Sequence, residues 1–399
     1  MKRVLVTFVP DYYPSNTGFA QAFFHMHSSI LEHKTCDHVY VFAQGNYQSP
    51  SEDNITVESL PRFRGKELLR FGLTRSIEQK YISFKLKNII MSIKKISEDY
   101  SIQMILLESM FMAWLVPILK KYFPNIPIVC RIHGTGPEYT AYYKKLEGIK
   151  FREYLLSCVF SLKYIAATTK FYFDFFQDYY KNYDLFMDKE FFLLPNTTLS
   201  LESLKEKSDS IHLLQLGRLD MRGYHQKGFS DTVKALLYIE KTNPQLASKI
   251  VYTTIGAGDR EKEFLNRVKA FSLVKHIHFS KLNNDKVKEI ELQSDLILVP
   301  SRCEGMSMFA TEAIAAGIPL VCTRGNGLES VGIDGYNAYY VSGYDYIRMA
   351  ESIVKIISDK NELKRMSLNS LKFFEENCSY QAVSNKYFVI DKFLSEHTC

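Results

Sequence analysis

Two carboxylates separated by seven residues, Glu304 and Glu312, stand in the stretch LILVPSRCEGMSMFATEAIAAGIPLVC, Leu296–Cys322. An apolar run of strand type leads into PSRCEG, then a helical stretch of small residues, then Gly317 and a second apolar run. The loop ahead of the helix supplies backbone N–H groups at Gly305, Met306 and Ser307. Those groups and the helix dipole favour an anion or a hydroxyl-rich ligand. Gly305 has no side chain to hold a ligand off the backbone. Glu312 stands among Met308, Phe309, Ala310, Ala313, Ile314 and Ala316. A carboxylate in such company is costly unless it has a partner. A ribose diol would satisfy it with two hydroxyl donors. A structural ion pair with a Lys or Arg is the other solution.

The elements that must position these residues are legible as short apolar runs, each followed by a helical pattern. In the first half they start at Val4, His38, Met104, Ile128, Tyr164 and Phe191. In the second half they start at Ile211, Ile250, His276, Leu296, Ile318 and Ala338. Near-continuous apolar strands between helices are what a parallel sheet covered on both faces requires. The set occurs twice, so the expected class is α/β, with two doubly wound, Rossmann-like domains. The break falls in the polar stretch NTTLSLESLKEKSDS, Asn196–Ser210. The expected division is 1–198, 199–380, and a terminal helix over 381–399 that packs back on the first domain. Ligands of such folds bind outside the carboxyl ends of the strands, so two facing domains would enclose a central cleft.

Composition narrows the function. The 399 residues suffice for two domains, and 46% hydrophobic residues suffice for two cores. The segment Pro61–Tyr100 holds ten Lys or Arg against four Asp or Glu, which accounts for the whole formal charge of +6. A basic balance confined to one segment points to a local anionic partner and away from nucleic acid. Seven cysteines, odd in number and without a Cys-x-x-Cys, fit reduced thiols in a cytosol, not a disulfide frame or a zinc site. No signal-type leader opens the chain, and the apolar stretch Met104–Leu119 is interrupted by Glu108 and too short to span a bilayer. The expectation is a cytoplasmic protein, soluble or peripheral at the inner face of a membrane.

Glu304, seven residues and Glu312 together resemble the Glu-x7-Glu motif of the retaining glycosyltransferases of family 4, which have the GT-B fold. PSRCEG resembles that family's Pro-Ser-x-x-Glu-Gly, and EAIAAGIPLV its Glu-Ala-x-Ala-x-Gly-x-Pro-Val-Val. LQLGRLD from Leu214, followed by QKGF from Gln226, resembles the family's Gly-Arg…Lys-Gly. The resemblance implies that Arg218 and Lys227 bind the donor diphosphate, and that Glu304 holds donor-sugar hydroxyls near the reacting carbon. It implies a donor site that also takes in Gly18, Gly256, Gly305, Met306, Ser307, Met308 and Glu312. The loop between Arg218 and Lys227 is about three residues longer than the family's, which makes Arg222 a competitor for the anion. Two solvated surface cations are the plainer account of Arg218 and Lys227. IGAGDREKEF from Ile255 resembles the family's strand-then-Gly-x-Gly turn, and NGLESVGIDGYNAYYV from Asn326 a further segment in which Ala338 replaces the usual final Gly.

The first half matches less tightly. Gly18 falls in a loop after the first strand, where the family approaches donor and acceptor; an ordinary βα turn is the alternative. His133 and Gly134 follow a buried strand, where the family places a His reaching toward the donor sugar. LLPNTT from Leu193 resembles the family's Ile-Pro-Asn-Gly. The basic segment shows apolar residues at Ile82, Leu86, Ile89, Ile90, Ile93 and Ile96, a helical spacing. It is either a domain helix with solvated lysines or a surface that docks on anionic lipid.

The resemblance implies transfer, with retention, from a nucleoside-diphosphate sugar, UDP favoured and GDP possible. The acceptor would be a hydroxyl of a glycan or lipid-linked saccharide in cell-surface polysaccharide synthesis. No Asp-x-Asp occurs, which fits a metal-free diphosphate site with no cofactor. The alternative is a catalytically silent homologue that binds nucleotide sugars or scaffolds a complex.

Overall fold

The computed structural model describes residues 1–12, 18–44, 54–61, 84–134, 146–181, 189–202 and 209–397. They form two units, Met1–Thr197 with Tyr380–Cys399, and Thr198–Ser379. The first is built on seven strands: β1 (Arg3–Val9), β2 (His38–Gln44), β3 (Ile55–Leu60), β4 (Ser101–Glu108), β5 (Ile128–Ile132), β6 (Tyr164–Ala167) and β7 (Glu190–Leu193). They pair in parallel in the order β3-β2-β1-β4-β5-β6-β7. The second holds β8 (Ile211–Leu216), β9 (Ile250–Ile255), β10 (Lys275–Phe279), β11 (Leu296–Val299), β12 (Leu320–Thr323) and β13 (Ala338–Val341). Their order is β10-β9-β8-β11-β12-β13, again parallel. Both units are therefore doubly wound and Rossmann-like.

Successive residues of each central strand enter opposite cores. Val4, Val6 and Phe8 of β1 join one apolar layer, and Leu5 and Val9 join the other. Leu213 and Leu214 of β8 divide in the same way. Both faces are covered, which is why these strands read as unbroken apolar runs. The twelve runs seen in the sequence are all strands, and β3 is an additional one. Its sequence ITVESL alternates because it lies at the sheet edge, where Ser59 faces solvent.

The last helix, Tyr380–His397, returns to the first unit. Val383, Tyr387, Ile390 and Leu394 enter its core beside Phe23, Met26 and Ile30. The Tyr380 hydroxyl lies 2.7 Å from His25 Nδ1, and Tyr387 donates to Gln103 at 3.2 Å. The helix Lys87–Asp99 buries Ile89, Ile90, Ile93 and Ile96. Its apolar stripe is thus consumed by the unit's own core, and only its outer side, with Lys87, Met91, Lys94 and Lys95, faces solvent. Ile82 and the rest of 62–83 lie outside the described residues. Among the described residues no helix is long and apolar enough to cross a membrane.

A buried charge cluster sits at the carboxyl ends of β4 and β5. The Arg131 Nη1 group contacts both Glu108 oxygens, at 3.0 and 3.2 Å. Arg131 also donates to the Leu194 and Pro195 carbonyls and to Asn196, so it ties these strands to the end of the unit. Burial alone would raise the Glu108 carboxyl, but the Arg131 guanidinium and the His133 hydrogen bond outweigh it and bring it down to about 2. Burial brings the neighbouring His27 down to about 4.

Both depressed groups give acid sensitivity of one sign. The stability linked to His27 is complete above its ordinary value of 6.5 and is lost as pH falls through about 4. That linked to Glu108 is complete above 4.5 and is lost toward about 2. The thermal midpoint should therefore fall steadily below pH 6.5, and His27→Gln should lessen the slope between 6.5 and 4, with His133 and His276 keeping the remainder. A wild-type midpoint constant across that range would contradict the assignment.

Candidate active site

In the second sheet the strand order reverses between β8 and β11, and ligands of doubly wound sheets bind outside the carboxyl ends at such a point. The chain leaving β8 passes Gly217 and Arg218 into a short helix, Met221–Gln226, whose N-cap Asp220 accepts from Arg222 N at 3.0 Å and Gly223 N at 2.6 Å. This helix occupies the additional residues between Arg218 and Lys227. Lys227 is its C-cap, and Gly228, at φ +68°, turns the chain into the helix Phe229–Thr242. The chain leaving β11 runs through Pro300 to Glu304 and then into the helix Met308–Ala315. Ser307 caps that helix by accepting from Ala310 N at 3.4 Å.

These loops bring two residues into direct contact. Lys227 Nζ lies 2.7 Å from Glu304 Oε2, with side-chain exposures of 20% and 17%. The lysine stem runs across Gly217, where a Cβ would stand 2.7 Å from Lys227 Cγ. Gln226 braces the same crossing. Its side-chain amide donates to the Cys303 carbonyl at 2.8 Å, and its backbone carbonyl accepts from Arg302 N at 2.8 Å. Arg302 pairs with Asp231 at 2.5 Å and stacks on the Tyr344 ring at 3.9 Å. Arg218 is half-exposed. It pairs with Asp220 at 3.0 Å and reaches the Gln226 side chain at 3.4 Å. The arrangement groups an ammonium, a guanidinium and a carboxylate around three adjoining loops.

Glu312 lies about one turn into its helix, four residues after Met308, and has a partner that no sequence signal named. Its Oε1 is 3.0 Å from Lys288 Nζ, on the helix Asn284–Leu292. The fully buried Glu291 is 3.7 Å from the same ammonium. The ion pair weighed for Glu312 is therefore present, and Lys288 supplies it. Gly256 plays a packing role: a Cβ there would stand 1.8 Å from the Gly217 carbonyl, so the chain after β9 can approach the Arg218 loop only with glycine. A Cβ at Gly327 would stand 2.6 Å from the Gly305 backbone, and Gly327 N donates to the Glu304 carbonyl at 3.0 Å. Met306 and Met308 are buried, so neither side chain is presented to solvent at this helix end.

The residues expected from the first unit stay in the first unit. Gly18 opens the helix Gly18–Glu32 and is exposed; residues 13–17 before it lie outside the described residues. His133 is buried, with Nε2 2.7 Å from Glu108. Burial and the Arg131 charge lower its pKa, so the ring is neutral and donates Nε2–H to the carboxylate. Gln226, Lys288 and Glu291 escaped the sequence reading. Gln226 and Lys288 act through partners far away in sequence, and Glu291 is marked only by its burial behind Lys288, which no local pattern shows.

Residues 197–373 match the family model described as glycosyl transferases group 1. Over the whole chain, the sucrose-phosphate synthase of Thermosynechococcus elongatus superposes with a TM-score of 0.74 at 14% identity, covering 99% of this chain and all of that one. The fold is GT-B. An uncharacterized glycosyltransferase of Methanocaldococcus jannaschii is 28% identical over 189 residues, 47% of this chain and 46% of that protein. A glycogen synthase of Mycobacterium tuberculosis is 22% identical over 181 residues, 45% of this chain and 42% of that protein. The matches thus span less than half the length of these curated relatives. In this GT-B chain the family match falls on the unit that carries Arg218, Lys227, Glu304 and Glu312.

The left-handed turn at Gly228 fixes where Lys227 points. A Cβ there would stand 2.3 Å from the Pro300 carbonyl, on backbone that disfavours any side chain. Gly228→Ala should lower stability by about 1–3 kcal/mol, read as a fall in the thermal midpoint. An unchanged midpoint would show that the turn does not hold the two loops in place.

Proposed function

We propose that the chain is a glycosyltransferase, resembling family 4, that moves a sugar from a nucleoside-diphosphate sugar to an acceptor hydroxyl with retention. The observation that carries this is the contact of Lys227 with Glu304 at the switch point of a sheet that matches the glycosyl transferases group 1. As the bond from the anomeric carbon to the diphosphate breaks, negative charge grows on the leaving oxygen. Lys227 and Arg218 face that charge and lower the barrier without a metal. The positive charge left on the sugar is met by Glu304. The acceptor oxygen attacks from the face the diphosphate leaves, and its proton passes to the departing phosphate oxygen. Glu312 takes the ribose hydroxyls, and the N–H groups at Gly305, Met306 and Ser307 face the donor.

The donor is a UDP-sugar in preference to a GDP-sugar, and the acceptor a glycan or lipid-linked saccharide used for surface polysaccharide. Its place of work is the cytoplasm, at the inner face of a membrane. That reading is supported by the outward Lys87, Lys94 and Lys95, and by Lys121, whose ammonium shares the Tyr122 ring with Lys94.

Lys227→Ala and Glu304→Ala should each lower turnover by about 10²–10³, with nucleotide release as the measurement. Near-wild-type rates in either would refute the assignment. Sedimentation with vesicles should show binding to anionic and not to neutral lipid, weakened by salt. Equal sedimentation with both would remove the membrane from the proposal.

A further inference from the structure

Glu312 is a partly exposed carboxylate on a helix that is apolar but for Thr311, and it does not stand alone. Lys288 approaches from the neighbouring helix Asn284–Leu292, and its Nζ is itself buried. The side chains of Lys288 and Glu312 retain exposures of 26% and 25%, while Glu291 behind them retains 1%. One ammonium thus lies within reach of two carboxyl groups, the buried Glu291 at 3.7 Å and the partly exposed Glu312 at 3.0 Å. The closest approach of Lys288 Nζ to Glu312 is at Oε1, 3.0 Å, by charge and without hydrogen-bond alignment.

We propose that Lys288 is a positioning residue of the donor site, which seats Glu312 at one carboxylate oxygen so that the other meets the ribose diol of a nucleoside diphosphate. The inference rests on the donor reading given above. Its logic is electrostatic. Burial and the nearby Glu312 push the Glu291 carboxyl well above the usual range, which favours its protonated form. One ammonium then faces one carboxylate, and the cluster is neutral. An ionised Glu291 would instead draw Lys288 inward and release Glu312. The second effect is orientation. A glutamate side chain free to rotate must be ordered when ligand binds, and the pair with Lys288 meets that cost in advance.

The role differs from simple support of the helix because it is specific to the ribose hydroxyls. The full chain is titrated calorimetrically with UDP and GDP and with their 2′,3′-dideoxy forms. Wild type should bind the ribo form more tightly. Lys288→Met should weaken the ribo form by about tenfold and leave the dideoxy form unchanged, because only the diol contact depends on the seating of Glu312. Lys288→Arg should restore the preference. A Lys288→Met protein with the wild-type ratio of ribo to dideoxy affinity, or with tighter ribo binding, overturns the inference. So does a wild type that binds nucleotide without diol preference. If Lys288→Met binds neither form, Lys288→Arg decides: a restored preference supports the role, and binding without preference ends it. A wild type that binds neither UDP nor GDP overturns the donor reading itself.

Discussion

An ammonium and a carboxylate 2.7 Å apart, Lys227 and Glu304, join the two loops that leave the neighbouring central strands β8 and β11. Much of the second unit is arranged so that this contact can exist. Asp220 caps the short helix that raises Lys227 to the right height. Gly217 leaves room for the lysine stem, and Gly228 turns the chain beneath the Pro300 carbonyl. Gln226 and Arg302 stitch the two loops together from the side. At partial burial the pair is worth more than one in open water, and its two charges are the ones a departing diphosphate and a sugar cation would each need.

The two units solve the problem of buried charge in different ways. In the first, Glu108 is held ionised by Arg131, and the donors left on the guanidinium are satisfied by backbone carbonyls and Asn196. A buried pair of that kind is strongly destabilised when one member is removed, so it fixes the ends of β4 and β5 against the loop after β7. In the second, burial and Glu312 push the Glu291 carboxyl upward, and a single lysine serves the more exposed Glu312. One cluster is locked and dry. The other opens to the surface at one end, which is where a ligand hydroxyl would arrive.

Much of this was legible in the sequence. Near-continuous apolar runs have few other homes than a parallel sheet with both faces covered, so twelve of the thirteen strands could be read from residue type. The missing β3 lies at an edge, where one partner and a solvated face weaken the apolar signal. The helix around Glu312 showed by its apolar neighbours that the carboxylate needed a partner. The helical spacing through Ile96 was equally clear, but spacing cannot say whether an apolar stripe meets lipid or its own domain.

By itself the sequence determined the α/β class, the two sets of strands, and the types of the site residues at their positions along the chain. Those properties are local: they follow from hydrophobic period, from glycine where a side chain cannot fit, and from charge in an apolar setting. The tertiary structure alone decided which charges meet. Lys227 finds Glu304 across 77 residues, Lys288 finds Glu312 from a neighbouring helix, and Glu108 finds Arg131 on the adjacent strand. The physical reason is that an ion pair depends on distance in space. A chain that winds outward from β8 and returns through β11 sets that distance by strand order, which no local stretch of residues records.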